Sequence, residues 1–265
     1  MGVKRCVALL AAMVMSAAPA HAVDVIPGDP GERTDLAVYH DDGRWTGSPN
    51  AKQARPALSL VKLYLGYWIL REGDTADKGK VLRMVRGSSD GLAVELDRKY
   101  PEAINEIAEE FELTGTVSTG YWGKSSTSPY DLARFISLIK DDPVAEPIIR
   151  AMANHAPYAE DGFKQDFGTD QMDGVIGSKF GWSDDRSGAF GSVSFGPDWV
   201  IAAMTYGDVD DHTDDVHEWI DQSPSSGLLF PADDGGAREM KYWLSERGKS
   251  QPRPTVAAVV EAKRS

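Results

Sequence analysis

The chain has 265 residues, 42% apolar and 26% charged, with a formal net charge of −13 and a single cysteine. So acidic a balance excludes an electrostatic nucleic-acid binder. One cysteine excludes an internal disulfide framework and a cysteine-based metal site, so stability must come from packing alone, for which the length suffices.

Lys4 and Arg5 precede an apolar run from Val7 to Met15 and then Ala20-His21-Ala22. This is the pattern of a secretory signal with an A-x-A cleavage site. Cys6 lies inside it. Cleavage near Ala22 leaves 243 residues and moves the formal charge from −13 to −15. No later apolar segment is long enough to anchor the chain, so a secreted or cell-envelope protein that does not span the membrane is expected. Residues 23–34, rich in Pro, Gly and Asp, read as an N-terminal loop. Leu36 to Tyr39 reads as a strand, closed by the turn signal at Asp41-Asp42-Gly43. Gly47 to Gln53 reads as polar loop.

The longest apolar run of the mature chain follows, from Arg55 to Arg71. Pro56 suits the first turn of a helix, and Leu58 to Leu70 predicts a helix buried on most sides. Its only polar side chains are Ser59 and Lys62, one turn apart on one face. A lysine in dry surroundings has a lowered pKa and, once neutral, takes a proton from a neighbouring hydroxyl. Glu72 to Gly79 reads as a polar connection, Val81 to Val85 as an apolar segment, and Leu92 to Tyr100 and Pro101 to Phe111 as helices. Thr114 to Ser128 reads as loop, with Trp122 the best candidate to line a cleft. Pro129 to Lys140 predicts an amphipathic helix, and Val144 to Asn154 another. Three strands then follow, within Gly174 to Trp182, Gly188 to Phe195 and Trp199 to Tyr206, with a hairpin turn at Gly196 to Asp198. Asp210 to Asp221 reads as an acidic helix. Residues 223–265 read as a partly disordered extension with a short helix from Ala237 to Arg247. One strand, several helices, then hairpin strands and a last helix imply an α+β domain whose antiparallel sheet sets the first strand beside the late ones.

Three short motifs come in order: Ser59-x-x-Lys62 opening the central helix, Ser88-Ser89-Asp90 after Val85, and Lys179-Phe180-Gly181 on a strand. The set resembles the penicillin-recognising serine hydrolases, the class A β-lactamases and D-alanyl-D-alanine peptidases, whose signature is Ser-x-x-Lys, Ser-x-Asn and Lys-Thr/Ser-Gly. Ser126 to Ala133 resembles a further family segment, and the likeness spans about residues 35–222. It implies the β-lactamase/transpeptidase-like fold with a reduced helical part, because only 28 residues, Leu60 to Gly87, separate Ser59 from Ser88. It implies that Ser59 is the acylated nucleophile and Lys62 its base. Ser88 would relay a proton to the leaving nitrogen, and Lys179 would supply positive charge. The N–H groups of Ser59 and Trp182 would form an oxyanion hole. Asp90, Gly181, Trp182 and Trp122 would contact substrate, Gly181 by letting it lie against the strand. The implied partner is a cell-wall peptide or a β-lactam; no cofactor or metal is implied, and the chain is expected to be a monomer.

The departures are specific. Asp90 stands where the family has asparagine; it cannot donate a hydrogen bond but can pair with Lys62 or Lys179. Phe180 replaces a hydroxyl residue. Glu112 has the approximate position of a deacylating glutamate in a loop that does not match. These departures support a second reading, an envelope protein that keeps the fold as a binding surface without turnover. Gly87 to Gly91 also fits Gly-x-Ser-x-Gly around Ser89, with His217 as a distant base, but that elbow needs parallel strands the sequence does not offer. The Asp208 to Glu218 cluster reads as acidic charge at a helix N-terminus rather than a metal site. His40 and His155 read as loop residues without a partner.

Overall fold

The computed structural model describes residues 23–222. The signal expected at 1–22 and the extension expected at 223–265 lie outside the described residues. The described elements are, in chain order, β1 (Asp24–Val25), β2 (Thr34–His40), β3 (Trp45–Gly47), β4 (Arg55–Pro56), α1 (Lys62–Glu72), α2 (Thr75–Arg86), α3 (Asp90–Lys99) and α4 (Ala103–Glu110). Then come β5 (Ser126–Thr127), α5 (Pro129–Ile139), α6 (Glu146–Ala153), β6 (Gly177–Trp182), β7 (Phe190–Phe195), β8 (Trp199–Thr205), α7 (Val209–Trp219) and β9 (Ile220–Asp221). The main sheet has five antiparallel strands in the order β3-β2-β8-β7-β6, so the first long strand does lie beside the late ones. Two small ladders, β1 with β9 and β4 with β5, flank it.

The sheet is buried on both faces. Val200, Ala202 and Met204 of β8 turn one way into a core shared with α1, α2, α4, α5 and α6. Trp199, Ile201 and Ala203 turn the other way onto Val216 of α7 and Ile220. This period-2 division explains why β8 reads as an unbroken apolar run. On the helical side α1 is the central rod. Lys62, Leu63, Tyr64, Leu65, Gly66, Tyr67 and Ile69 are all buried. Gly66 lets α2 approach, since a Cβ there would lie 3.0 Å from a methyl of Val81. Side-chain caps open two of the helices. The Ser89 hydroxyl accepts from the Leu92 N–H to open α3, and the Ser128 hydroxyl accepts from the Asp131 N–H ahead of Pro129 in α5.

Several local expectations are corrected. Pro56 does not open a helix: Arg55–Pro56 pairs with Ser126–Thr127 as a short strand. A 3-10 turn, Leu58–Val61, then leads into α1. The supposed polar connection after Glu72 is largely α2, which starts at Thr75. Its buried face is Asp77, Val81, Met84 and Val85, a helical spacing hidden by a carboxylate at the first position. Asp77 is satisfied there by Lys80 at 2.7 Å, Lys99 at 2.6 Å and the Tyr100 hydroxyl at 2.8 Å. Residues 24–25 form a strand where loop was expected, and Trp45–Gly47 adds an edge strand. His40 lies 3.1 Å from Asp24 and His155 lies 3.5 Å from Asp170, so both have partners. Among the described residues no helix is long and apolar enough to cross a membrane.

Candidate active site

The three motifs converge where the 3-10 turn, the start of α3 and the edge strand β6 meet. Leu58 and Ser88 each carry a left-handed backbone, φ 53° and φ 52°. That conformation costs an L residue about 1–3 kcal/mol and persists only where surrounding structure enforces it. The two bends bring Ser59 and Ser88 within reach of one amine. Lys62 Nζ donates to Ser59 Oγ at 2.9 Å, to the Ser88 carbonyl at 2.8 Å and to Asp90 Oδ1 at 2.6 Å, with Ser88 Oγ at 3.4 Å. On the far side of Ser88, Lys179 Nζ donates to Ser88 Oγ at 2.8 Å and to the Phe180 carbonyl at 3.0 Å. Ser59, Lys62, Ser88 and Lys179 therefore form one hydrogen-bonded chain. Four polar side chains from three distant segments meet in a nearly dry setting: Lys62 is 0% and Lys179 1% exposed.

Burial pushes the Lys62 amine below the usual lysine range, and the neighbouring Asp90 carboxylate opposes that shift. Lys179 is driven well below the range, first by burial and then by the positive charge of Lys62. Lys179 has no carboxylate in hydrogen-bonding contact, so it is the amine that more readily stays neutral. The contacts of Lys62 fit both of its states. As an ammonium it has three donors for Ser59, Asp90 and the Ser88 carbonyl. As an amine it can accept from the Ser59 hydroxyl and donate to the other two.

Gly181 holds the backbone of this site together. A Cβ there would lie 2.7 Å from Leu58 Cβ and 3.0 Å from the Ser59 N. The glycine is needed for the close approach of the Ser59 turn to β6, a constraint separate from room for a substrate. The Ser183 N–H donates to the Ala189 carbonyl at 2.9 Å. Antiparallel alternation then turns the Trp182 N–H away from β7, to the free edge where Ser59 sits.

These groups open into a cleft of about 640 Å³, lined among others by Ser59, Ser88, Asp90, Trp122 and Trp182. Trp122 also lies under the Lys62 amine, 4.6 Å from the ring centroid, so all eight sequence-nominated residues lie in or directly behind one cleft. Phe180 does not face it. It alternates with Lys179 onto the opposite side of β6, fully buried against Phe167 and His155. Glu112 is exposed at a left-handed turn after α4 and does not line the cleft. Ser89 caps α3 and donates to Glu160 at 2.5 Å, and a helix precedes it, so it is no nucleophile elbow. His212 is buried between Ser192 and Thr205, each hydroxyl 2.8 Å from a ring nitrogen, and Asp208 with Asp211 forms the capping box of α7. Among the described residues no group of three or more His, Asp or Glu is placed to hold a metal ion.

Sequence reasoning passed over Tyr121, Glu160, Asp161, Asp184 and Arg186, which also line the cleft. All are exposed loop residues without periodicity. The Glu160 loop is tied to the end of α2 by the Glu160 N–H on the Gly87 carbonyl at 2.9 Å. Asp161 accepts from the Trp182 indole N–H at 3.0 Å.

No protein-family model and no curated protein sequence matches the chain. Solved structures do. A β-lactamase from Sphaerobacter thermophilus is 14% identical, with 70% of this chain covering 89% of that one at a TM-score of 0.55. A β-lactamase from Streptomyces albus G is 15% identical, with 70% of this chain covering 93% of that one at a TM-score of 0.54. A D-alanyl-D-alanine carboxypeptidase from Mycobacterium tuberculosis is 20% identical, with 72% of this chain covering 88% of that one at a TM-score of 0.51. The chain thus has the α+β fold that class A β-lactamases share with penicillin-binding proteins.

Proposed function

We propose that the protein is an exported serine acyl-hydrolase that works through an acyl-enzyme, on a D-alanyl cell-wall peptide or a β-lactam. The observation that carries this reading is the continuous chain Ser59–Lys62–Ser88–Lys179. Ser59 Oγ attacks the substrate carbonyl carbon while its proton passes to neutral Lys62. The Ser59 and Trp182 N–H groups hold the oxyanion. The carbon–nitrogen bond then breaks, and Ser88 gives its proton to the departing nitrogen, recovering one from Lys62. Water finally hydrolyses the ester on Ser59.

The second reading, a binding cleft without turnover, draws on the 2.6 Å pair of Lys62 with Asp90, which favours the protonated lysine. Intact-mass analysis after incubation with a penicillin, beside Ser59→Ala, separates the two. The expected result is an acyl adduct on the wild-type protein that Ser59→Ala lacks, or a β-lactam consumed only when Ser59 is present. Neither adduct nor consumption moves the assignment to the binding reading.

A further inference from the structure

The cleft is lined by Asp90, Glu160, Asp161 and Asp184, all exposed, and by one exposed cation, Arg186. Arg186 already faces Asp161 at 3.5 Å. Among the described residues the only other cations at the site are the buried Lys62 and Lys179, so four carboxylates face at most three positive charges there. Burial weakens two of those three. Aromatic faces complete the wall. Tyr121 is 44% exposed and Trp182 half-buried, while Trp122 is buried beneath the Lys62 amine. Carboxylates combined with an exposed aromatic ring such as Tyr121 are the chemistry that recognises an ammonium group. The same wall repels a carboxylate, and Phe180, turned away from the cleft, offers it no hydroxyl.

From this wall we propose that the cleft selects a positively charged acyl donor, one carrying a protonated amine, and discriminates against anionic ones. The inference rests on the acyl-transfer reading only for the word donor; the charge selection belongs to the cleft itself. A cell-wall peptide with a free side-chain amine fits it, and a β-lactam whose only charge is its carboxylate fits poorly.

Three penicillins differing at one carbon test it: carbenicillin with a carboxylate there, benzylpenicillin with hydrogen, and ampicillin with an amine. Binding to Ser59→Ala is measured by calorimetry at about pH 6, where an α-amine is protonated. Ampicillin should bind tightest and carbenicillin weakest, about tenfold apart or more. The spread should shrink in roughly 0.5 M salt, because exposed charges are screened. It should shrink also in the double variant Ser59→Ala, Asp184→Asn, which leaves the Lys62 and Trp182 contacts intact. Equal or reversed affinities overturn the proposal, even if the wild-type protein forms an adduct and the acyl-enzyme reading stands. The expected order with neither adduct nor β-lactam consumption by the wild-type protein keeps the proposal and removes the acyl-enzyme reading. No binding of any of the three removes the charge selection as stated.

Discussion

In the proposed reaction the residue that decides the chemistry is Lys62. Its amine is dried by α1 and Trp122 and charged by Asp90, and these push its pKa in opposite directions. Acylation needs the neutral amine, so its rate should rise with pH through the pKa of Lys62. Asp90→Asn removes the influence that raises that pKa. The acidic limb of the acylation rate should therefore move to lower pH, and the rate below the wild-type limb should increase. A pH profile of acylation followed by mass spectrometry checks this; an unmoved limb would mean that Asp90 does not set the base. Ser59 and Lys62 were legible as polar groups on an apolar run, costly there unless used, whereas Ser88 and Lys179 stood out only through the motifs of the family the chain resembles. Glu160, Asp161, Asp184 and Arg186 were not legible. An exposed loop charge costs nothing, so its sequence carries no sign of what it faces.

Among the elements, the 3-10 turn Leu58–Val61 carries the most consequence. The apolar run from Arg55 was legible as a buried helix, yet its first turn is tighter and its entry is a strand. The competing influence is the ladder of Arg55–Pro56 with Ser126–Thr127, a long-range pairing that no local pattern announces. α2 was missed for a different reason, because Asp77 occupies a core position that an apolar side chain ordinarily fills. The turn is pressed onto β6 at Gly181. Gly181→Ala would drive a methyl into Leu58 and the Ser59 backbone. Overpacking of this kind costs about 1–3 kcal/mol of stability. If Ser59 is the nucleophile as proposed, its shift should cost more in function, about 100-fold or more in acylation rate. Thermal unfolding and acylation kinetics on the same variant test the split. A loss of stability with unchanged kinetics would show that the turn does not position Ser59.

At the scale of the whole molecule, the layer between sheet and α7, apolar around Val216, also carries a polar seam where an apolar seal is the simpler solution. Thr34, Thr205, His212, Ser192, Thr169, Ser194 and Ser178 form a buried run of hydrogen-bonded side chains across β2, β8, β7 and β6. His212 sits in the middle with its pKa pushed down to about 3 by burial. The unfolded chain binds that proton near the ordinary value of about 6.5, the native protein only near 3. Stability from this group is therefore complete above about pH 6.5 and declines as pH falls toward 3, at a limiting slope of about 1.4 kcal/mol per pH unit. Denaturant unfolding across this window should show the decline, and His212→Gln should flatten it; equal slopes would exclude His212 as its source. The place of the first long strand beside the late ones was legible from the strand-helix-strand succession, while the polar seam was not, since serine and threonine in strands read as surface residues. The ladder of Asp24–Val25 with Ile220–Asp221 closes this architecture. It lies beside β2 and β3, at the sheet edge opposite β6. Four interstrand spacings, about 19 Å, separate that edge from the cleft strand. The two ends of the described chain, Val23 and Gln222, thus lie together at the corner away from β6. A fusion partner or surface tether attached through either end would hold the molecule by the same corner, with the cleft turned outward.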